Sequence, residues 1–201
     1  MSLSVPLSLS TGSHLSSLSH PVKKFPAKVF IPVQPQRLLR INKGVIRTLS
    51  YLDDGQPVVL GLWREGEVVG HSLSHVNPFY VESFTAVEAN YFSLEDTISV
   101  QPFVQAHLQQ IEELMIIRSH RKIDITLLKL LTWLSQKFGN DQKHGHLIDL
   151  RLTHQDIAEL LGTTRVTITR LMGQFEQQGR IQRLPLDRTL IKDLKSWHYE
   201  I

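Results

Sequence analysis

"LTHQDIAELLGTTRVTITRLMGQF", residues 152–175, holds two short helical patterns on either side of Gly162. In the first, Ile157, Leu160 and Leu161 recur at the spacing of one helix face, and Thr153 with Asp156 makes a weak form of capping box. Ala158 is small, which lets a second helix cross closely. Gly162 is suited to end the first helix, because a positive φ costs glycine little. Thr164 is placed to cap the second helix, with Thr163 left in the turn. There Ile168, Leu171 and Phe175 step by three and four and face inward, so Arg165, Val166, Thr169, Arg170 and Gly173 face outward. That outward face has two arginines and no acid before Glu176. A face chosen for solubility alone would mix both signs of charge.

The chemistry of these residues suits a duplex groove. Arginine makes bidentate hydrogen bonds to guanine O6 and N7, while valine and the threonine methyl fit the C5-methyl of thymine. Hydroxyls and backbone N–H groups at a helix start suit phosphate oxygens. Small residues let the helix sink until the arginines reach base edges. Downstream, "GRIQRLPLDRTLIKDL" reads as two strands around Pro185-Leu186-Asp187, a hairpin with arginines at 180, 183 and 188. The expected double-stranded DNA contacts are Thr153, His154, Gln155, Thr163, Thr164, Arg165, Val166, Thr167, Thr169, Arg170 and Gly173. A solvated structural helix pair, or a module that binds a protein partner through this face, are the competing readings. No nucleophile–base pair, metal triad or phosphate loop supports an enzyme.

The 201 residues suffice for one large domain or two small ones, and 41% hydrophobic content is globular. There is no cysteine, which excludes disulfides and thiol chemistry and suits the cytoplasm. No apolar run approaches the 18 or so residues of a membrane span, so no membrane association is expected. Net charge is +3 but uneven. Residues 1–64 carry +6, residues 65–117 carry −8 with no lysine or arginine, and residues 118–201 carry +5. A polyanion partner therefore suits the C-terminal part and not the middle. The serine-rich first 20 residues read as a disordered lead-in.

From Arg37 to Phe92, short apolar runs broken by turn signals read as successive strands, with Asp54-Gly55 as a hairpin turn. Such density of short strands predicts an antiparallel roll. Ser93 and Asp96 offer capping chemistry for a long helix to about Arg121. Along it Val104, Leu108, Ile111, Met115 and Arg118 step by 4, 3, 4 and 3, the spacing of a coiled-coil seam. Phe103, Leu114 and Ile117 make a second stripe. One helix buried within a single chain fits the same pattern, but the width of the apolar surface favours a homodimer. A further helix spans about Ile123 to Phe138, stopped by Gly139-Asn140; "NDQKHGH" reads as a loop and "LIDLRL" as a short strand.

At this point "LTHQDIAELLGTTRVTITRLMGQFEQQGRI" resembles the winged helix–turn–helix of the CRP/FNR transcription regulators, above all their global nitrogen-control branch. "FYVESFTAVE" is similar to that branch's last roll strands, and the resemblance spans roughly residues 37–191. It implies a parallel homodimer through the long helix, with the second helix in the major groove. Arg165 and Arg170 match the family's base-reading arginines, and Thr153, Gln155, Thr164 and Thr167 match its phosphate contacts. Val166 stands where cyclic-AMP receptors carry glutamate, so the half-site should differ from theirs. RNA polymerase is the further partner such a regulator implies.

The family also implies an effector site. "EGEVVGHS" matches the glycine–acid turn of nucleotide-binding members at Gly66, Glu67 and Gly70, but the roll offers no cation for a buried phosphate. Cyclic AMP is therefore not expected. The roll arginine that holds 2-oxoglutarate is also missing, with Pro78 near its place, although Arg118 and Arg121 could supply charge. "VKKFPAKVFIPVQPQ" before Arg37 lacks the Gly-rich turns that open the family's roll, which favours a roll kept as a scaffold with no cofactor. His71 with His75, and His144 with His146, have metal-sharing spacing, yet nothing completes a ligand set, so no metal is expected. Trp63, Trp133 and Trp197 read as packing residues. The expected fold is α+β: a lead-in at 1–20, a cupin-like antiparallel β-roll at 21–96, a dimerisation helix at 97–122 and a winged helix–turn–helix at 123–201.

Overall fold

The structure, a computed structural model, describes residues 21–93, 95, 101–143 and 145–192. It is α+β, and the described residues cluster as two compact units: 21–50 with 60–109, and 51–59 with 110–192. The expected lead-in, the 97–100 start of the long helix, Asp96, His144 and Trp197 lie outside the described residues.

Eight short strands build the roll: β1 (Lys23–Phe25), β2 (Phe30–Ile31), β3 (Arg37–Lys43), β4 (Ile46–Tyr51), β5 (Pro57–Trp63), β6 (Val68–Val69), β7 (Tyr80–Ser83) and β8 (Val87–Ser93). They form two sheets, ordered β1-β8-β3-β6 and β2-β7-β4-β5. β3 and β8 pair antiparallel, with Leu39 opposite Tyr91 and Ile41 opposite Ala89. Side chains that alternate inward from both sheets, among them Leu39, Ile41, Ile46, Val81 and Ala89, meet in one core. Each such aliphatic chain contributes about 1.5–3 kcal/mol by leaving water.

The proline-rich stretch before Arg37 corrects the expectation of a degenerate opening. It supplies an edge strand to each sheet, with Phe25 opposite Val87 and Ile31 opposite Val81. The turns that glycine was expected to make are made by Lys28 and Gln36, at φ 62° and 58°. Side chains at such angles cost roughly 1–2 kcal/mol each, which the paired strands offset.

Trp63 fills the roll. It is 2% exposed, its indole Nε1 donates to Thr48 Oγ1 at 2.9 Å, and the His107 ring stacks on it at 3.9 Å. His107 Nε2 lies 2.7 Å from the Val68 carbonyl, which only accepts, so this nitrogen carries the proton. A crevice lined by Ile31, Val33, Arg37, Leu39, Val81 and Tyr91 encloses about 10 Å³, room for one water.

α1 (Gln101–Ser119) and α2 (Ile123–Phe138) follow. α2 buries Leu127, Leu128, Leu130, Leu131 and Leu134. It ends at Gly139, which is extended and not at positive φ; glycine is needed there for space, since a Cβ would lie 2.0 Å from the Ser135 carbonyl oxygen. The segment read as a loop is instead a hairpin of β9 (Gly139–Gln142) and β10 (Gly145–Ile148). "GNDQ" has no apolar alternation to announce a strand; it is an edge strand that forms because β10 pairs with it on one side, β10 itself being held by a later strand on the other. The strand expected over "LIDLRL" stops at Ile148. Next come α3 (His154–Leu161), α4 (Arg165–Gln177), β11 (Ile181–Leu184) and β12 (Arg188–Ile191), and the sheet runs β11-β12-β10-β9. The turn between β11 and β12 has positive φ at Leu186 and Asp187.

Candidate nucleic-acid interface

The helix–turn–helix forms for the reasons its residues suggest. Thr153 caps α3: its Oγ1 accepts from Asp156 N at 3.1 Å, and Asp156 Oδ2 accepts from Thr153 N at 2.9 Å. Gly162 sits at φ 65°, ψ 38°, with open space where a side chain would be, so conformation alone demands glycine. Thr164 Oγ1 accepts from Thr167 N at 3.2 Å and caps α4. Ile168, Leu171, Met172 and Phe175 bury one side of α4.

The other side of α4 faces out. Arg165, Thr169 and Arg170 are exposed, Val166 is 78% exposed, and Gly173 lies half-buried. A Cβ at Gly173 would meet nothing within 4 Å. Glycine inside a helix costs about 1 kcal/mol relative to alanine, and this chain's own packing gives no reason for it. Arg170 Nη1 donates to Gln174 Oε1 at 3.3 Å, a stretched bond that a better acceptor displaces.

α3 presents its N-terminus beside this face. Thr153 and Gln155 are exposed, and Gln155 Nε2 donates to Glu159 Oε1 at 2.9 Å. His154 is half-buried, with Nδ1 2.8 Å from Thr169 Oγ1. Its pKa is pushed below the ordinary histidine value, first by burial, then by Arg183 and Arg165, against an upward pull from Asp187. A cleft of about 670 Å³ runs between the start of α3, α4 and the β11–β12 hairpin, lined by Thr153, His154, Gln155, Arg165, Arg183 and Arg188.

The hairpin arginines do not stand bare. Arg183 donates from Nε to Glu176 Oε2 at 2.8 Å, with Nη2 at 2.6 Å from the same oxygen. That guanidinium holds the Glu176 carboxyl below its usual range. Arg188 lies 3.8 Å from Asp149, and Arg151 lies 3.3 Å from Asp187. Exposed pairs of this kind are worth about 0–1 kcal/mol, so a phosphate can replace the acid at little cost.

A second crevice of about 610 Å³ opens on the opposite flank of α4, and of its basic residues Arg170 alone is among the expected DNA contacts. Arg121, Lys122, Arg170 and Arg180 line it, with Asp124 as its acid. Arg121 is expected as an effector ligand and Arg180 as part of the hairpin. The usable signal was the basic pair Arg121-Lys122 just before a helix whose N-terminus has no side-chain cap.

The expected dimer stripe is exposed. Val104, Leu108, Ile111 and Met115 are 42–62% exposed, and Ile116 joins them at 62%. Leu114 and Ile117 are buried. Arg118 corrects the seam: it turns inward, donating from Nε to the Leu160 carbonyl at 2.8 Å and from Nη2 to the Val59 carbonyl at 2.6 Å. Burial penalises its charge and lowers its pKa, a cost that the two carbonyl bonds offset. Nε and Nη2 of the residue expected as an effector ligand are thereby engaged with carbonyls of this chain. Glu67 Oε2 accepts from Arg64 N at 2.6 Å across the turn at Gly66, and a Cβ at Gly70 would lie 2.8 Å from the Leu38 side chain and 3.0 Å from the Arg37 carbonyl oxygen. Among the described residues no group of three or more His, Asp or Glu could hold a metal, and no helix is long and apolar enough to cross a membrane.

Residues 126–196 match the Crp-like helix-turn-helix domain. The chain is 40% identical over 164 residues to the Regulatory protein CysR of Synechococcus elongatus, covering 80% of this chain and 78% of that protein. The chain belongs to the CRP/FNR family. It stands near the nitrogen-control branch, with 30% identity over 170 residues to the Global nitrogen regulator of Nostoc sp., 76% of each chain. A CRP-family transcriptional regulator from Thermus thermophilus has the same fold, at TM-score 0.72 and 16% identity, covering 87% of this chain and 93% of that one. This CRP/FNR member is a DNA-binding transcription regulator and not an enzyme.

Proposed function

We propose that this regulator binds a palindromic DNA site as a homodimer, reading it through the outward face of α4 without a cyclic nucleotide. The observation that carries the reading is the face itself: exposed Arg165, Val166, Thr169 and Arg170 beside a glycine that the chain's own packing does not require. Arg165 and Arg170 contact guanine, and Val166 and Thr169 lie against thymine methyls. Thr153, His154, Gln155, Thr163, Thr164 and Thr167 face one phosphate rim of the groove. Arg121, Lys122 and Arg180 face the other, since a major groove has two backbones and α4 has a basic crevice on each flank. Val104, Leu108, Ile111, Met115 and Ile116 pair with their copies in a second chain. Two recognition helices related by a twofold then meet half-sites about 34 Å apart.

The filled roll supports a scaffold role. Ligand pockets run to about 300–1,000 Å³, against the 10 Å³ of the crevice lined by Ile31, Val33, Arg37 and Tyr91. The domain limits proposed are 21–96, 97–122 and 123–201, and RNA polymerase is the protein partner. The test is selection of bound duplexes from a random pool, with and without 2-oxoglutarate and cyclic AMP. A palindrome enriched equally under all conditions is expected. Enrichment of a single half-site sinks the homodimer, and a tenfold ligand effect, about 1.4 kcal/mol of coupling, sinks the scaffold.

A further inference from the structure

We infer that Arg118 is a positioning residue, tying the long helix to the C-terminus of α3 and so fixing the angle at which α4 meets DNA. The inference rests on the homodimer reading, because it concerns how α1 carries α4.

The last carbonyls of an α-helix lack intrahelical partners. In α3, Ala158 O accepts from Thr163 N at 3.0 Å and Glu159 O from Gly162 N at 3.4 Å. Leu160 O accepts from Arg118 Nε at 2.8 Å. A side chain on α1 therefore adds to the cap of α3. Its positive charge sits at the negative end of that helix's dipole, the favourable arrangement. The Val59 carbonyl takes Nη2 at 2.6 Å, so the planar guanidinium is gripped at two points and has little freedom to swing.

Position gives this brace its leverage. Met115, in the exposed stripe, precedes Arg118 by three residues, one helical turn. Leu160 precedes Thr164, the cap of α4, by four. One side chain thus links the helix that bears the exposed stripe to the last turn of α3, just before α4. α4 has 13 residues, which makes it about 20 Å long. A tilt of about 10° at its start moves its far end roughly 3 Å, close to one base-pair step of about 3.4 Å. Losing the brace should therefore change which half-site separation is tolerated, not which bases are read.

The test uses full-length wild type, Arg118→Lys and Arg118→Gln on duplexes selected by the wild type, and on the same duplexes with the spacer changed by one base pair. Lysine keeps the charge but is a point donor that does not grip two carbonyls in one plane. The expected result is unchanged base preference within the half-site, with the penalty for altered spacing falling about fivefold in both variants. An unchanged spacing penalty overturns the brace, including the case where both variants merely melt lower and bind every duplex equally less well. A wild type that sediments as a monomer on DNA and shows no spacing preference overturns the homodimer reading instead, and the brace with it.

Discussion

His154 Nδ1 and Thr169 Oγ1 stand 2.8 Å apart, joining the first turn of α3 to the outward face of α4. Burial above all, with Arg183 and Arg165, holds the His154 pKa below its ordinary 6.5. The folded chain therefore resists a proton that the unfolded chain accepts near that value. The stability this neutral ring contributes is full above pH 6.5 and is lost as pH falls below it. The melting temperature of free protein should drop between about pH 7.5 and 5.5, and drop less in His154→Gln. Parallel curves for the two proteins would show that His154 is not the group involved.

Gly173 is a position where stability and binding pull apart. Alanine there meets nothing within 4 Å, so Gly173→Ala should raise the free energy of unfolding by about 0.5–1 kcal/mol. The added methyl stands on the face that enters the groove, so DNA affinity should fall. Urea unfolding and gel-shift titration measure the two effects, and a variant that is more stable and binds as well as wild type refutes the close approach.

Arg170→Ala should cost about 1–3 kcal/mol on the selected duplex and relax preference at one base pair. Competition with duplexes substituted singly at each half-site position locates that pair. Uniform weakening across all of them would reassign Arg170 to phosphate.

Ile111 and Met115 are 48% and 62% exposed, so glutamate at either should change the stability of a single chain by no more than about 0.5 kcal/mol. Pairing of two such helices would place like charges across a dry seam. Analytical ultracentrifugation of Ile111→Glu and Met115→Glu should show monomers with native circular dichroism. Dimers of undiminished strength would move the interface elsewhere.

The helix–turn–helix was legible because each of its local signals agrees with the others: the Thr153–Asp156 cap, Gly162 at positive φ and the inward Ile168 and Leu171 all belong to residues close in sequence. The strands from Arg37 onward were legible for the same reason, through alternation and the Asp54-Gly55 turn. What escaped depends on distant partners. β9 is polar and exists through pairing with β10, and β1 and β2 turn at Lys28 and Gln36, residues that rarely adopt positive φ. Arg118 fell in step with the seam, but helical phase does not reveal that a long side chain finds carbonyls at Val59 and Leu160. The second basic crevice gathers residues from positions 121 to 180, and only folding brings them together.

The hairpin that carries Arg183 and Arg188 is not a loose flap. β12 pairs with β10 as well as β11, and β10 also pairs with β9, so the arginines project from the rim of a four-stranded sheet. Ordering a mobile arm on contact costs about 0.5–1.5 kcal/mol for each long side chain immobilised, and here much of that loss has already occurred during folding. Encounter with a duplex then becomes a docking of prebuilt parts, in which ionic strength governs how often the collision occurs and the groove contacts govern how long it lasts.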